Sequence, residues 1–145
     1  MWIIDSCVVV DILGGDQPFA LLSARCLHEL TQDGLGICPI SFAELGPMFP
    51  HIEAQHHTLN QIGIDYSQNW LAIDTVNAAT AWKNYARRKK IDPSISKRPI
   101  ADILIGSFAG RFQGLITRNP KDFAPHFPEL TIIDPTNFSD SKDET

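Results

Sequence analysis

Short apolar segments alternate along this chain with longer segments of helical periodicity, and this alternation limits the possible folds more than any other feature. Apolar runs flanked by Gly, Pro or Asp predict buried strands at 2–5, 35–38, 115–117 and 131–133. A further strand is expected near 62–66 or 71–73. Because strands separated by helices form parallel sheets covered on both faces, we predict an α/β protein, a three-layer α/β/α sandwich with a central parallel sheet.

The intervening segments have apolar residues at helical spacing. Helices are predicted at 18–32, at 76–90, from Pro99 to about Gly114, and more briefly at 54–61 and from Ser41 to the pair Gly46-Pro47. In the 76–90 helix, the spacing predicts that one face is buried, formed by Val76, Ala79, Trp82 and Ala86.

Length and composition indicate one globular domain. The 145 residues are 43% hydrophobic and 20% charged, and we expect a domain over 1–135 followed by a polar tail over 136–145. The three cysteines form no CxxC pair, which favours reduced thiols in a cytoplasmic protein. The apolar start lacks a basic flank and stops at Asp5, and no run is long enough to span a membrane.

The charges are unevenly distributed. The net charge is -5, which by itself argues against a nucleic-acid binder. Between Lys83 and Lys121, however, ten basic residues face two acidic ones, a local charge of +8. Such a stripe suits phosphate binding, although a solvated helix face is the alternative for Arg87 to Lys90.

Four acidic residues lie where strands or loops lead into helices: Asp5, Glu44, Asp102 and Asp122. The carboxyl ends of parallel strands meet at one edge, so these acids can converge although they are distant in sequence. Converging carboxylates repel unless a cation neutralises them, and all-oxygen ligands suit Mg²⁺ or Mn²⁺. The pattern predicts a metal-dependent phosphodiester hydrolase.

Each acid also has a purely structural explanation. Asp5 or Ser6 could cap a helix, and Ser41-Phe42-Ala43-Glu44 spells a capping box. Asp102 could complement a helix dipole, and in Asn119-Pro120-Lys121-Asp122 the acid could sit in a first turn capped by Asn119.

The remaining candidate residues are predicted to have no catalytic role. Three further acids are predicted to be surface or capping groups: Asp11, Asp74 and Asp134. Three histidines match no metal-ligand spacing and are predicted to lie in a solvated loop: His51, His56 and His57. Cys7 is expected to be a small buried hydrophobe.

The segments that carry the four acids resemble the PIN-domain family, especially VapC-type toxins of toxin–antitoxin pairs. The matching segments, in order, are Ile3-Ile4-Asp5-Ser6, Ser41-Phe42-Ala43-Glu44-Leu45, Pro99-Ile100-Ala101-Asp102-Ile103, and Leu115-Ile116-Thr117-Arg118-Asn119-Pro120-Lys121-Asp122. The resemblance covers residues 2 to about 135. It implies an α/β/α sandwich, Mg²⁺- or Mn²⁺-dependent endoribonuclease activity, and homodimers inhibited by a separately encoded antitoxin.

The resemblance also implies roles for individual residues. Asp5, Glu44, Asp102 and Asp122 match the metal-binding acids, Ser6 matches a hydroxyl residue that supports the first acid, and Asn119 matches a polar residue at the lip of the site. In the mechanism that we expect, a metal-bound water attacks an RNA phosphate. Flanking phosphates are expected to contact basic side chains, namely Arg118, Lys121, Lys97 and Arg98.

Two rival functions remain open on sequence alone. The first is a catalytically inert PIN-like module that binds RNA or a protein. The second is an α/β phosphatase with Asp5 as nucleophile, although the Asp-x-Asp start of the haloacid-dehalogenase family is missing because residue 7 is Cys.

Overall fold

The central element is a parallel sheet of five short strands. The computed structural model describes residues 1–95 and 99–138. The strands are β1 (Trp2–Ile4), β2 (Leu35–Gly36), β3 (Ile64–Asp65), β4 (Gly114–Ile116) and β5 (Ile132–Ile133), in the spatial order β3-β2-β1-β4-β5 with every pair parallel. This confirms the predicted α/β fold class with a central parallel sheet.

Six helices connect the strands in the described part of the chain. They are α1 (Ser6–Gly14), α2 (Phe19–Leu30), α3 (Pro39–Leu45), α4 (Ile52–Ile62), α5 (Ala72–Ile91) and α6 (Ile100–Ala109). Short 3-10 turns follow at Thr31–Asp33, Gly46–Met48, Pro120–Asp122 and Pro135–Asn137.

Alternating side chains of the central strands divide the core between the two faces of the sheet. Ile4 and Ile116 pack with α1 and α2, whereas Ile3 and Leu115 pack with α6. A third cluster joins α5 to α6 through Tyr85 and Ile103. The layers are therefore helices, sheet and helices, which is the three-layer arrangement predicted from the sequence.

Several predicted boundaries need correction. The possible strand at 71–73 is wrong because α5 begins at Ala72, and the strand near 62–66 is confirmed as β3. The helix from Pro99 ends at Ala109, about five residues before Gly114. Helix α1, for which no bounds were predicted, follows β1 directly.

The predicted buried face of the 76–90 helix is also wrong. The buried residues of α5 are Asp74, Ala78, Ala81 and Tyr85, whereas Val76 is 58% exposed and Trp82 37% exposed. Asp74 is buried because Arg111, just beyond α6, binds it through Nε at 2.6 Å and Nη2 at 2.9 Å. This long-range pair turns α5 toward α6 on a face that its hydrophobic periodicity does not predict.

Phe138 and the three cysteines lie in the core or pack against it. Phe138 packs against the core beside α1 and α2, so the folded part extends at least to that residue, while 139–145 lie outside the described residues. All three cysteines are free thiols, and Cys26 and Cys38 are buried. Within the described residues, no helix is long and apolar enough to cross a membrane.

Candidate functional site

Asp5 lies at the carboxyl edge of the sheet, where β1 turns into α1. Its backbone N–H donates to the Ile116 carbonyl at 2.9 Å, which joins the end of β1 to the end of β4. The carboxylate is 7% exposed, and its Oδ2 accepts hydrogen bonds from Thr117 Oγ1 at 2.8 Å and Cys7 Sγ at 3.4 Å. Asp5 occupies the N-cap position of α1 but makes no side-chain cap bond, so the capping explanation is wrong.

Thr117 is a functional candidate that the sequence analysis did not identify. It is fully buried at the end of β4, donates to Asp5, and accepts from the Asn119 backbone N–H at 3.1 Å. One sequence feature could have identified Thr117. It is a hydroxyl residue at the carboxyl end of the predicted strand 115–117, directly before the polar Arg118 and Asn119. It fixes the orientation of Asp5 and the path of the following loop.

The Asp5 side chain also affects Cys7. Burial and, to a smaller extent, the negative charge of Asp5 together raise the pKa of the Cys7 thiol to about 12. The thiol is therefore neutral at physiological pH and serves as a weak hydrogen-bond donor to the carboxylate, with no character of a nucleophile.

Glu44 approaches this edge from α3. That helix begins at Pro39, so Ser41 lies inside it, and Ser41 Oγ is buried without a hydrogen-bond partner among the described residues. The predicted capping box is therefore wrong, and Glu44 is not used to cap α3. Its Oε1 instead accepts a long hydrogen bond of 3.5 Å from Ser6 Oγ, at the start of α1.

Asp102 and Asp122 complete an electrostatic cluster with Asp5 and Glu44. Burial, followed by the charges of Asp122, Asp5 and Glu44, raises the pKa of Asp102 from 3.8 to about 6. Burial likewise raises the pKa of Glu44, as does the charge of Asp5, while the Ser6 hydrogen bond opposes the shift. All four predicted acids are therefore near enough for their charges to interact.

The ligand atoms of this cluster are suited to a hard divalent cation, but the distances between the side chains are not. Its donors are carboxylate and hydroxyl oxygens, the ligands that Mg²⁺ and Mn²⁺ prefer, and a cation would relieve the repulsion felt by Asp102. Yet no three His, Cys, Asp or Glu side chains within residues 1–95 and 99–138 lie close enough together to hold one ion. Of the four acids, Asp122, on a 3-10 turn, and Glu44, in α3, are exposed, whereas Asp5 is buried and Asp102 is partly buried.

The residues predicted to surround the acids have different environments. Asn119 has an exposed side chain at the start of the Pro120–Asp122 turn and makes no side-chain cap bond. Lys121 is exposed on that turn. Lys97 and Arg98 lie outside the described residues.

Arg118 is bound by a carboxylate at the base of the site. Its Nε and Nη2 donate to the two oxygens of Asp11 at 2.7 and 3.1 Å, and its guanidinium lies 4.3 Å from the centre of the Phe19 ring. The prediction of Asp11 as a surface or capping group is wrong, because it is only 5% exposed and carries this ion pair. The pair fastens the loop after β4 to α1 and α2.

The two remaining acids and the histidines have mainly structural roles. Asp134 accepts from the Thr136 N–H, which confirms it as a capping group, and Asp74 accepts from the Leu71 N–H but is buried with Arg111. The solvated-loop prediction for the histidines is wrong. His51 caps α4 by accepting from Ala54, and His56, within α4, stacks on Tyr66 with ring centres 4.8 Å apart.

The basic end of α5 reaches the same edge of the sheet as the acids. Ile95 and Ile103 pack in one cluster with Tyr85, so the carboxyl end of α5 lies beside the first turns of α6, which carry Asp102. Arg88 Nη2 lies 2.8 Å from Nδ1 of His126. Burial and the charge of Arg88 lower the pKa of His126, and the charge of Asp122 opposes them.

No protein-family model matches the chain, and no curated protein sequence matches it. The case for a function therefore depends on the fold and on the geometry of this edge.

Proposed function

We propose that this protein is a metal-dependent endoribonuclease of the PIN-domain type, the VapC-like toxin of a toxin–antitoxin pair. The observation that carries the proposal is the position of Asp5, Glu44, Asp102 and Asp122 at the carboxyl edge of a parallel sheet, and the raised pKa values of Asp102 and Glu44 support it. Ligand sites of open α/β sheets lie at this edge. A homodimer and a separately encoded inhibitor belong to the same proposal through the family resemblance.

In this proposal Asp5 and Asp122, with Glu44, would hold Mg²⁺ or Mn²⁺, and Asp102 would interact with the ion through its bound water. The ion would supply an activated water and would neutralise charge on the phosphate. Thr117 and Cys7 orient Asp5, and Ser6 restrains Glu44.

The pKa of Asp102 makes it the best candidate to accept a proton. A general base works best when its pKa lies near the working pH, and burial and neighbouring charges already raise the pKa of Asp102 to about 6. A cation at the site would lower this pKa again, so the base function would require Asp102 to remain outside direct contact with the ion. Glu44 is the alternative base.

Substrate phosphates would meet cations on both sides of the acids. Lys121 is exposed on the turn that carries Asp122, and Arg87 is exposed near the end of α5. Arg118 stays a predicted phosphate contact, but binding a phosphate would compete with its bidentate pair to Asp11. Lys97 and Arg98 stay predictions as well.

The test is cleavage of mixed cellular RNA by the purified protein with Mg²⁺ or Mn²⁺. The controls are EDTA, the variant Asp5→Asn, and Asp16→Asn, which removes an exposed acid in the loop before α2. We expect discrete products with wild type and Asp16→Asn, and none with EDTA or Asp5→Asn.

The catalytically inert module predicts a different result. It would give no cleavage and, in calorimetric titration, no Mn²⁺ binding at millimolar concentrations. Full activity of Asp5→Asn would reject the metal site as placed here. Circular dichroism and thermal unfolding of each variant would separate lost chemistry from lost folding.

A further inference from the structure

The segment between β4 and β5 has little regular structure, and a few contacts hold it against the rest of the protein. After the 3-10 turn Pro120–Asp122, Phe123 is buried in the core, and the backbone N–H groups of His126 and Phe127 donate to its carbonyl oxygen at 3.0 and 3.1 Å. The ring of Phe127 packs on Gly106 of α6, where a Cβ would collide with it. These contacts anchor the segment on the core and on α6.

His126 joins the same segment to α5. Its Nδ1 lies 2.8 Å from Nη2 of Arg88 in the last turn of α5, and its ring meets the ring of Tyr85 edge-on, with centres 5.8 Å apart. Tyr85 and Arg88 are three residues apart, so their side chains lie on one side of the helix. His126 therefore packs against α5 with a ring contact and a polar contact side by side.

The contact with Arg88 determines which protonation state of His126 it can include. An arginine side chain has only hydrogen-bond donors, so Nδ1 of His126 must be the acceptor and the proton of the neutral ring must lie on Nε2. A protonated imidazole carries a positive charge and has donors at both nitrogens. It cannot accept from Arg88, and two cations would face each other at this distance.

The charges around His126 act in opposite directions. Burial and the charge of Arg88 lower its pKa from 6.5, whereas the charge of Asp122 opposes them. Glu129 lines the same cavity as His126, and the α6 residues in that lining are neutral. Tyr85 is titratable as well, but tyrosine is uncharged in the pH range in which histidine titrates. The contact with Arg88 is thus the feature of this environment that protonation disrupts.

We propose that His126 and Arg88 form an acid-sensitive latch, which is closed while His126 is neutral and opens when it is protonated. The closed latch fastens the end of α5 to the segment that carries Asp122, four residues before His126. Because the pKa of His126 is lowered in the folded state, the latch stabilises the fold fully above pH 6.5. This stabilisation is lost as the pH falls through the lowered pKa of the folded state.

The latch itself is independent of the proposed ribonuclease function, but its effect on the acids rests on that proposal. Asp122 is exposed on its 3-10 turn, and its backbone N–H donates to the Asn119 carbonyl. An open latch removes one restraint on this part of the chain, so Asp122 would be held less firmly for a metal ion. We therefore expect metal affinity to fall on acidification by more than the titration of the carboxylates requires.

The first test is an NMR titration of the His126 ring and of the nearby backbone amides, without metal, from pH 7.5 to 5. The protein carries Asp102→Asn, which removes the carboxyl whose pKa of about 6 lies in this range. We expect the neutral ring to carry its proton on Nε2 and to titrate below 6.5, with amide signals at the end of α5 following the same midpoint. Arg88→Met should raise the midpoint toward 6.5, and Arg87→Met, at an exposed neighbouring cation, should change it less.

Hydrogen exchange in the same background tests the opening. His126→Gln cannot be protonated, although its amide oxygen can still accept from Arg88. The protection factor of the Phe127 amide should fall about tenfold from pH 7.5 to 5 in the parent protein, as expected when a hydrogen bond to a charged group is lost. In His126→Gln it should not change with pH. His57→Gln, at an exposed histidine of α4, is the matched control and should behave like the parent.

Three results would overturn the latch. They are a neutral His126 ring with its proton on Nδ1, a midpoint that Arg88→Met leaves unchanged, and an equal loss of Phe127 protection in His126→Gln and the parent.

Calorimetric titration with Mn²⁺ at pH 7.5 and 5.5 separates the latch from the proposed function. We expect affinity to fall more in the otherwise wild-type protein than in His126→Gln. An equal fall would overturn the effect of the latch on Asp122. Failure of both proteins to bind Mn²⁺ would overturn the proposed metal site and leave the latch, as measured by NMR and exchange, in place.

Discussion

Replacing Asp102 by Asn should stabilise the metal-free protein at neutral pH and weaken the pH dependence of its stability. The pKa of Asp102 is raised from 3.8 to about 6 by burial and by Asp122, Asp5 and Glu44. A carboxyl whose pKa is higher in the folded state favours folding fully below pH 4. That contribution is lost as the pH rises through 6, because the folded state then holds an unfavourable charge.

The expected magnitude follows from the size of the shift. Moving a pKa from 3.8 to about 6 corresponds to about 3 kcal/mol between the two protonation states. The side chain is partly exposed, so solvent screening reduces the expected gain to about 1–2 kcal/mol at pH 7.5. Near pH 4 the two proteins should differ little, since Asp102 is then largely protonated in the folded state.

Urea unfolding followed by tryptophan fluorescence, in EDTA and at several pH values from 4 to 7.5, measures this difference. Asp16→Asn is the control for removal of one exposed negative charge. Added Mn²⁺ should then stabilise wild type more than Asp102→Asn, a readout that needs no substrate. A variant that is less stable than wild type at pH 7.5, or a difference that does not change with pH, would refute the reasoning.

Two further predictions concern the ion pair of Asp11 with Arg118 and the close packing of Phe127 on Gly106. Asp11→Ala should lower the free energy of unfolding by about 1–3 kcal/mol, because Arg118 loses both hydrogen bonds. A double-mutant cycle with Arg118→Ala, measured by urea unfolding, should give a coupling energy of about 1–2 kcal/mol. Additive single effects would contradict the pair. Gly106→Ala should lower the free energy of unfolding by about 1–2 kcal/mol, because the added Cβ forces the ring of Phe127 to move. This loss is expected although Ala favours helices more than Gly does. Gly110→Ala meets only ordinary contacts, so in thermal unfolding it should be neutral or slightly stabilising.

Local pattern was sufficient for the sheet but insufficient for the orientation of α5. The strands β1 and β4 are short apolar runs that pair within the core, so burial and chain order agree with the sequence. For α5, the spacing of Val76 and Trp82 predicted an apolar buried face, but the face that is buried in the structure contains Asp74. Its partner Arg111 is 37 residues away, and no local periodicity contains that information.

The site shows the same division between local and long-range information. Chain position alone predicted where Asp5 lies, because Asp5 directly follows β1 and the carboxyl ends of parallel strands share one edge. The hydroxyl that orients Asp5 belongs to Thr117, 112 residues away, and was not identified. Long-range polar pairs therefore account for much of what sequence reasoning missed.

The ion pair of Asp11 and Arg118 has a further consequence for how this edge can work. Arg118 directly follows Thr117, so the pair restrains the residue whose hydroxyl orients Asp5. A phosphate that attracted Arg118 would weaken that restraint and disturb the first acid of the cluster. Among the described residues, exposed cations without this effect include Lys121, on the turn that carries Asp122, and Arg87, near the end of α5. Substrate phosphates should therefore contact the turn that carries Asp122 and the end of α5 rather than Arg118.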